Sequence, residues 1–153
     1  MENDSFSILV PYKGQMVIAT ATEVGNPVQM VYQVSFPDGF SSLFHTYEGD
    51  SGWAEGEQEI TELAKEIGPI IDMYRHKKYF EPLMTPVNET TYAIQPFTED
   101  GGETVQYEVY KMSGELLMNI YKEKNGEWNY EEISKENNQE YQSLAKEIGN
   151  AIR

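Results

Sequence analysis

Between Val28 and Phe36 the chain alternates. Val28, Met30, Tyr32, Val34 and Phe36 fall on one side, and Gln29, Val31, Gln33 and Ser35 on the other. A period of two marks a strand with one buried face. A similar segment later puts Val105, Tyr107 and Val109 on one side. Pro37-Asp38-Gly39 and Ser113-Gly114 supply turn chemistry that leads each strand into the next. Lys13-Gly14, between Phe6–Tyr12 and Gln15–Val24, reads as another hairpin. Each half of the chain therefore reads as a four-strand meander. The period then changes. Ile60, Leu63, Ala64, Ile67, Ile70, Ile71 and Tyr74 recur at helical spacing, as do Tyr141, Leu144, Ala145, Ile148 and Ile152.

The two helical stripes share the letters LAKEIG, at Leu63–Gly68 and Leu144–Gly149. Upstream, Trp53 and Trp128 each close a polar turn, VQMVYQV stands opposite VQYEVYK, and Phe6, Leu9 and Ala19 fall opposite Phe80, Leu83 and Ala93. The offsets are 74 at Phe6/Phe80, 77 at Val28/Val105, 75 at Trp53/Trp128 and 81 at Leu63/Leu144. Each change falls in a loop, where insertions are cheapest. The expectation is an α+β fold: a tandem duplication of a four-strand antiparallel β-meander followed by one α-helix, with repeats over 1–78 and 79–153. Four strands and a helix enclose a poor core alone. The repeats are thus expected to share one compact unit, in a common sheet or two packed ones, with both helices on one face.

At the level of arrangement this resembles the tandem-repeat architecture of β-lactamase inhibitory proteins and PepSY-like periplasmic proteins. Those place the helix differently in the repeat and share no diagnostic motif with this chain. Leu, Ala and Ile of LAKEIG are accounted for as core. Its Gly is not, because Gly costs about 1 kcal/mol against Ala inside a helix. Gly68 precedes Pro69 and could mark a kink or stop; Gly149 has no such neighbour. One explanation serves both, close approach to another element such as the other copy's helix; the alternative is inheritance of a tolerated Gly.

Charge narrows the function classes. The 153 residues carry 26 acidic against 11 basic side chains, a formal charge of -15. Such a surface repels phosphates, which argues against nucleic-acid and anionic-membrane binding and suits a basic partner. The absence of cysteine removes disulfides, thiolate metal sites and cysteine nucleophiles. The first residues, MENDSFSILV, lack the positive region of a signal peptide. A soluble cytoplasmic protein is expected, with an exported protein whose signal was removed as the alternative.

Catalytic and metal signals are sparse. His45 aligns with Ile120 of the other copy and reads as a packed or rim histidine; a hydrolase or isomerase would need an acid or nucleophile beside it. His76, in Arg75-His76-Lys77-Lys78, reads as part of a helix C-terminal cap. The loop Glu48–Glu59 offers Asp50, Glu55, Glu57 and Glu59, but not at EF-hand spacing, and its counterpart contains lysines. Asn88-Glu89-Thr90 matches a glycosylation triplet, a short pattern that arises often by chance. No cofactor or metal is expected, and a small-molecule ligand is left open. The leading expectation is a non-enzymatic module that binds a protein partner or itself. Its surface would be the sheet face opposite the helices, where alternation places Val31, Tyr110, Met112, Leu117 and Tyr121. A one-residue slip would invert that assignment. The alternative is an acidic inhibitor or nucleic-acid mimic, using Glu55/Glu57/Glu59, Glu99/Asp100/Glu103 and Glu131/Glu132.

Overall fold

The computed structural model describes residues 5–24, 31–46, 52–56, 59–76, 78–99, 104–132 and 140–152. Val28, Met30, Glu48 to Asp50, Glu57, Lys77, Asp100 and Glu103 lie outside them. The fold is α+β, with two antiparallel five-stranded sheets and two helices. The chain divides into two compact units, Met1–Val10 with Val17–His76, and Pro11–Met16 with Lys77–Arg153.

The first sheet is a meander of β1 (Ser5–Tyr12), β2 (Gln15–Glu23), β3 (Val31–Ser35), β4 (Ser41–Thr46) and β5 (Trp53–Glu55), in that spatial order. Helix α1 (Glu62–Arg75) follows and packs on β5 and β4. The second sheet runs β6 (Leu83–Val87), β7 (Thr90–Phe97), β8 (Gln106–Lys111), β9 (Leu116–Lys122) and β10 (Trp128–Glu132), also in sequence order. Helix α2 (Glu140–Ile152) packs on β10, β6 and β9. Of the two arrangements expected, one common sheet or two, two sheets are observed, and each meander has five strands rather than four. The two tryptophans do not close turns; they open these fifth strands.

The expected buried side of β3 is observed, with Tyr32, Val34 and Phe36 buried. Ala64, Ile67 and Ile71 are the buried stripe of α1, whereas Ile60 precedes the helix and is 60% exposed. Helix α1 begins at Thr61, whose hydroxyl accepts from the Ala64 amide at 3.0 Å, a standard N-cap. The Thr61 hydroxyl also donates to Glu55 at 2.6 Å, and Ser42 donates to the other Glu55 oxygen at 2.5 Å. Glu55 thereby ties β5 to β4 and to the helix cap. Pro69 neither stops nor ends α1, which continues to Arg75. His76 is the exposed C-cap residue, and its amide reaches the Asp72 carbonyl.

The repeated glycine is a packing notch. A Cβ on Gly68 would run into the indole of Trp53, and one on Gly149 into the indole of Trp128. The close neighbour is the fifth strand of the same unit, not the other helix. Tyr32 stands beside Trp53, with ring centroids 6.1 Å apart, and Tyr107 beside Trp128 at 5.7 Å. The two locks differ in one bond. Trp53 Nε1 donates to Asp72 at 3.0 Å, whereas the buried Trp128 Nε1 has no acceptor. The residue four after Gly149 is Arg153, where α1 has Asp72 four after Gly68. Arginine cannot accept a proton donor.

Candidate binding face

In the second unit Val87, Ile94, Val109, Met118 and Ile120 form a core with Tyr141, Ala145 and Ile148 of α2. Strand alternation turns their neighbours to the opposite face. There the register lines up four residues across four strands: Gln95 opposite Glu108, Glu108 opposite Asn119, and Asn119 opposite Glu131. Adjacent strands lie roughly 4.8 Å apart, so these are nearest neighbours on one surface. The row is closed at β7, where Gln95 is 2% exposed, and open at the edge strand β10, where Glu131 is exposed.

Every residue in the row can accept a hydrogen bond, yet few donors meet it. One Glu108 oxygen accepts from the hydroxyls of both Tyr79 and Tyr110, each at 3.1 Å. Burial pushes the Glu108 carboxyl above the usual carboxylate range, outweighing the tyrosine bonds that pull it down. Burial, then the adjacent Glu108 charge, pushes Tyr79 and Tyr110 well above the ordinary phenol value, so both remain donors at neutral pH. Asn119 Oδ1 is buried with no donor. No ion pair among the described residues reaches Glu108 or Glu131. Gln95 differs, because its amide donates to the carbonyls of Phe80 and Pro96 at 2.8 and 2.9 Å. The next row carries Phe97, Gln106, Tyr121 and Asn129.

The five residues expected on the face divide. Tyr110 and Tyr121 lie on it, half-buried. Met112 is half-buried in the turn after β8, and Val31 belongs to the first sheet, paired with His45. Leu117 is 2% exposed and belongs to the α2-side core. A register shift between Val109 and Tyr110 breaks the alternation there, so Leu117 and Met118 are both buried. Glu108, Asn119 and Tyr79 escaped the sequence reading. A charged residue in the middle of a central strand, inside Tyr-Glu-Val-Tyr, was the available signal.

His45 is 7% exposed, paired with Val31 and Ala54, and no described side chain hydrogen-bonds to it. Likewise no group of three or more His, Asp or Glu among the described residues could hold a metal ion. No described helix is long and apolar enough to cross a membrane. No protein-family model, curated protein or solved structure matches this chain.

Proposed function

We propose that the chain is a non-enzymatic protein-binding module that engages its partner through the second sheet's face at Tyr110 and Tyr121. The observation that carries this reading is the row of acceptors at Glu108, Asn119 and Glu131, flanked by tyrosines and matched by no cation among the described residues. A half-buried carboxylate and a buried, donorless amide oxygen cost stability unless something supplies donors. The parts of this surface that another molecule reaches are the half-exposed Tyr110 and Tyr121 and the exposed Glu131, whereas the Asn119 oxygen is sealed from solvent. The alternative, an acidic inhibitor or nucleic-acid mimic, draws support from the 26 acidic against 11 basic residues.

The architecture is read as a tandem duplication. Its support is the repeated lock of third-strand tyrosine, fifth-strand tryptophan and helix glycine: Tyr32, Trp53, Gly68 and Tyr107, Trp128, Gly149. Tyrosines and tryptophans both match at an offset of 75, which replaces the offset of 77 from the Val-Gln letters. Tyr32 pairs with Phe44 and Tyr107 with Ile120, so Phe44 corresponds to Ile120 and His45 to Tyr121.

The test compares immobilised wild type with Tyr121→Asp, after circular dichroism has shown both to be folded. The variant is expected to lose a partner retained by wild type, or to lose self-association in sedimentation. Identical retained proteins and an identical oligomeric state would defeat the reading.

A further inference from the structure

We infer that the first sheet's face opposite α1 is a self-association surface, on which two copies of this chain pack sheet against sheet about a two-fold axis. The surface belongs to the first compact unit and is separate from the partner proposed for the second sheet.

Of the Lys, Arg, Asp and Glu residues, only Glu23 and Glu55 occur in β1 to β5. Both point to the α1 side: Glu23 stands opposite the buried Tyr32, and Glu55 accepts from the Thr61 cap. Among the described residues the outer face of these strands therefore carries no charge, an inversion of the usual rule that charged side chains face water. Thr22, Gln33 and Leu43 form one row across it, and Thr20, Ser35 and Ser41 the next. Ser5 joins from β1, its hydroxyl 3.0 Å from that of Thr22, and the Val24 amide donates to the Val31 carbonyl at 2.9 Å on the other side. This surface is reachable. Thr20, Gln33, Ser35 and Ser41 are exposed, and so are the apolar Leu43 at 44% and Val24 at 41%.

Two properties select a second copy as the occupant. The first is charge. Two chains of formal charge -15 repel, so they meet most easily where neither brings a carboxylate. A basic partner is drawn to acidic surface and gains nothing from this face, and the second sheet's outer face, with Glu108 and Glu131, does not meet the condition. The second is self-complementarity. A two-fold contact sets identical patches against each other. Ser, Thr and Gln side chains both donate and accept, so such a patch satisfies itself, whereas a row of carboxylates only accepts. Packed sheets lie about 10 Å apart, close enough for Leu43 and Val24 to interdigitate with their counterparts. Size sets the strength. Five strands about 4.8 Å apart, read over the length of a short strand at about 3.3 Å per residue, give roughly 400 Å² a side in projection. A standard interface buries about 800 Å² per partner, so this dimer belongs to the weak, concentration-dependent class.

The test is sedimentation velocity of the full chain between about 5 and about 500 µM, the range in which a weak interface associates. Wild type is expected to shift from monomer towards dimer across it. Leu43→Glu and Gln33→Glu, at exposed positions and shown to be folded by circular dichroism, are each expected to weaken the dimer at least about tenfold, because every dimer then buries two like charges. Tyr121→Asp is expected to dimerise as wild type does. Raising sodium chloride from about 0.05 to about 0.5 M is expected to strengthen the dimer, because ions screen the repulsion between copies and no ion pair holds them. A chain that stays monomeric up to the highest concentration would overturn the inference. So would variants that dimerise like wild type, or a dimer that salt dissociates. A dimer lost in Tyr121→Asp but kept in Leu43→Glu would move the contact to the second sheet and overturn it equally.

Discussion

Gly68 and Gly149 are expensive residues for a helix, and each is explained by one tryptophan. At Gly68 the obstructing atoms include Trp53 Cβ and Cγ, which cannot swing away as the tip of a flexible chain would. Overpacking of this kind costs about 1–3 kcal/mol and exceeds the roughly 1 kcal/mol that Ala gains in helix propensity. Gly68→Ala is therefore expected to destabilise the wild type by up to about 2 kcal/mol in urea titration. In a Trp53→Gly background, which removes the obstructing Cβ as well as the ring, the same change is expected to stabilise by up to about 1 kcal/mol. The same sign in both backgrounds would remove the notch explanation. Glu108 supplies a second test at this scale. Its carboxyl is raised, so between the ordinary carboxylate value and the raised one the folded state holds more protons than the unfolded state. Stability then falls as pH rises through that window. Tyr79, Tyr110, Gln95 and Asn119 face the group. Glu108→Gln is expected to raise the melting temperature relative to wild type at neutral pH, and the gain should shrink as the medium is acidified through the window. A difference that is flat with pH would show that Glu108 carries no such penalty.

Among the elements, strands and helices were legible where one physical signal dominated. The alternation through Tyr32, Val34 and Phe36 and the stripe of Ala64, Ile67 and Ile71 both correspond to buried positions. The fifth strands were not legible. Trp53–Glu55 is three residues long, and Trp128 follows directly on the turn ending Gly126-Glu127, so neither shows a period of its own. The binding row was invisible for another reason. It is assembled from four strands whose mutual register no single segment encodes, with a bulge at Val109/Tyr110 that alternation cannot foresee. One turn also carries a cost of its own. Asn88 and Glu89 both have positive φ, 50° and 70°, in the two-residue hairpin between β6 and β7. Left-handed backbone suits Asn and Gly but penalises Glu by about 1 kcal/mol. Glu89→Gly, which creates the favoured Asn-Gly turn, is expected to raise stability by about 0.5–1 kcal/mol in the same urea assay. A loss of stability would mean that the Glu89 side chain contributes more than its backbone strain removes.

For the whole molecule, the excess of negative charge governs how stability responds to salt. A formal charge of -15 on 153 residues makes the folded state repel itself, and dissolved ions screen that repulsion. Raising sodium chloride from about 0.05 to about 0.5 M shortens the screening length from more than about 10 Å to less than about 8 Å. The melting temperature is expected to rise by several degrees over this range. A fall would assign the charges a net attractive role through ion pairs. The architecture adds an opportunity independent of any partner. Trp53 and Trp128 are the only two tryptophans, each seated on the helix of a different unit. The chain thus contains two native fluorophores, one per unit, at positions where emission must change when strand and helix part. Replacing either by Phe leaves a single reporter. Two such variants would follow the melting of each half separately, with no label attached.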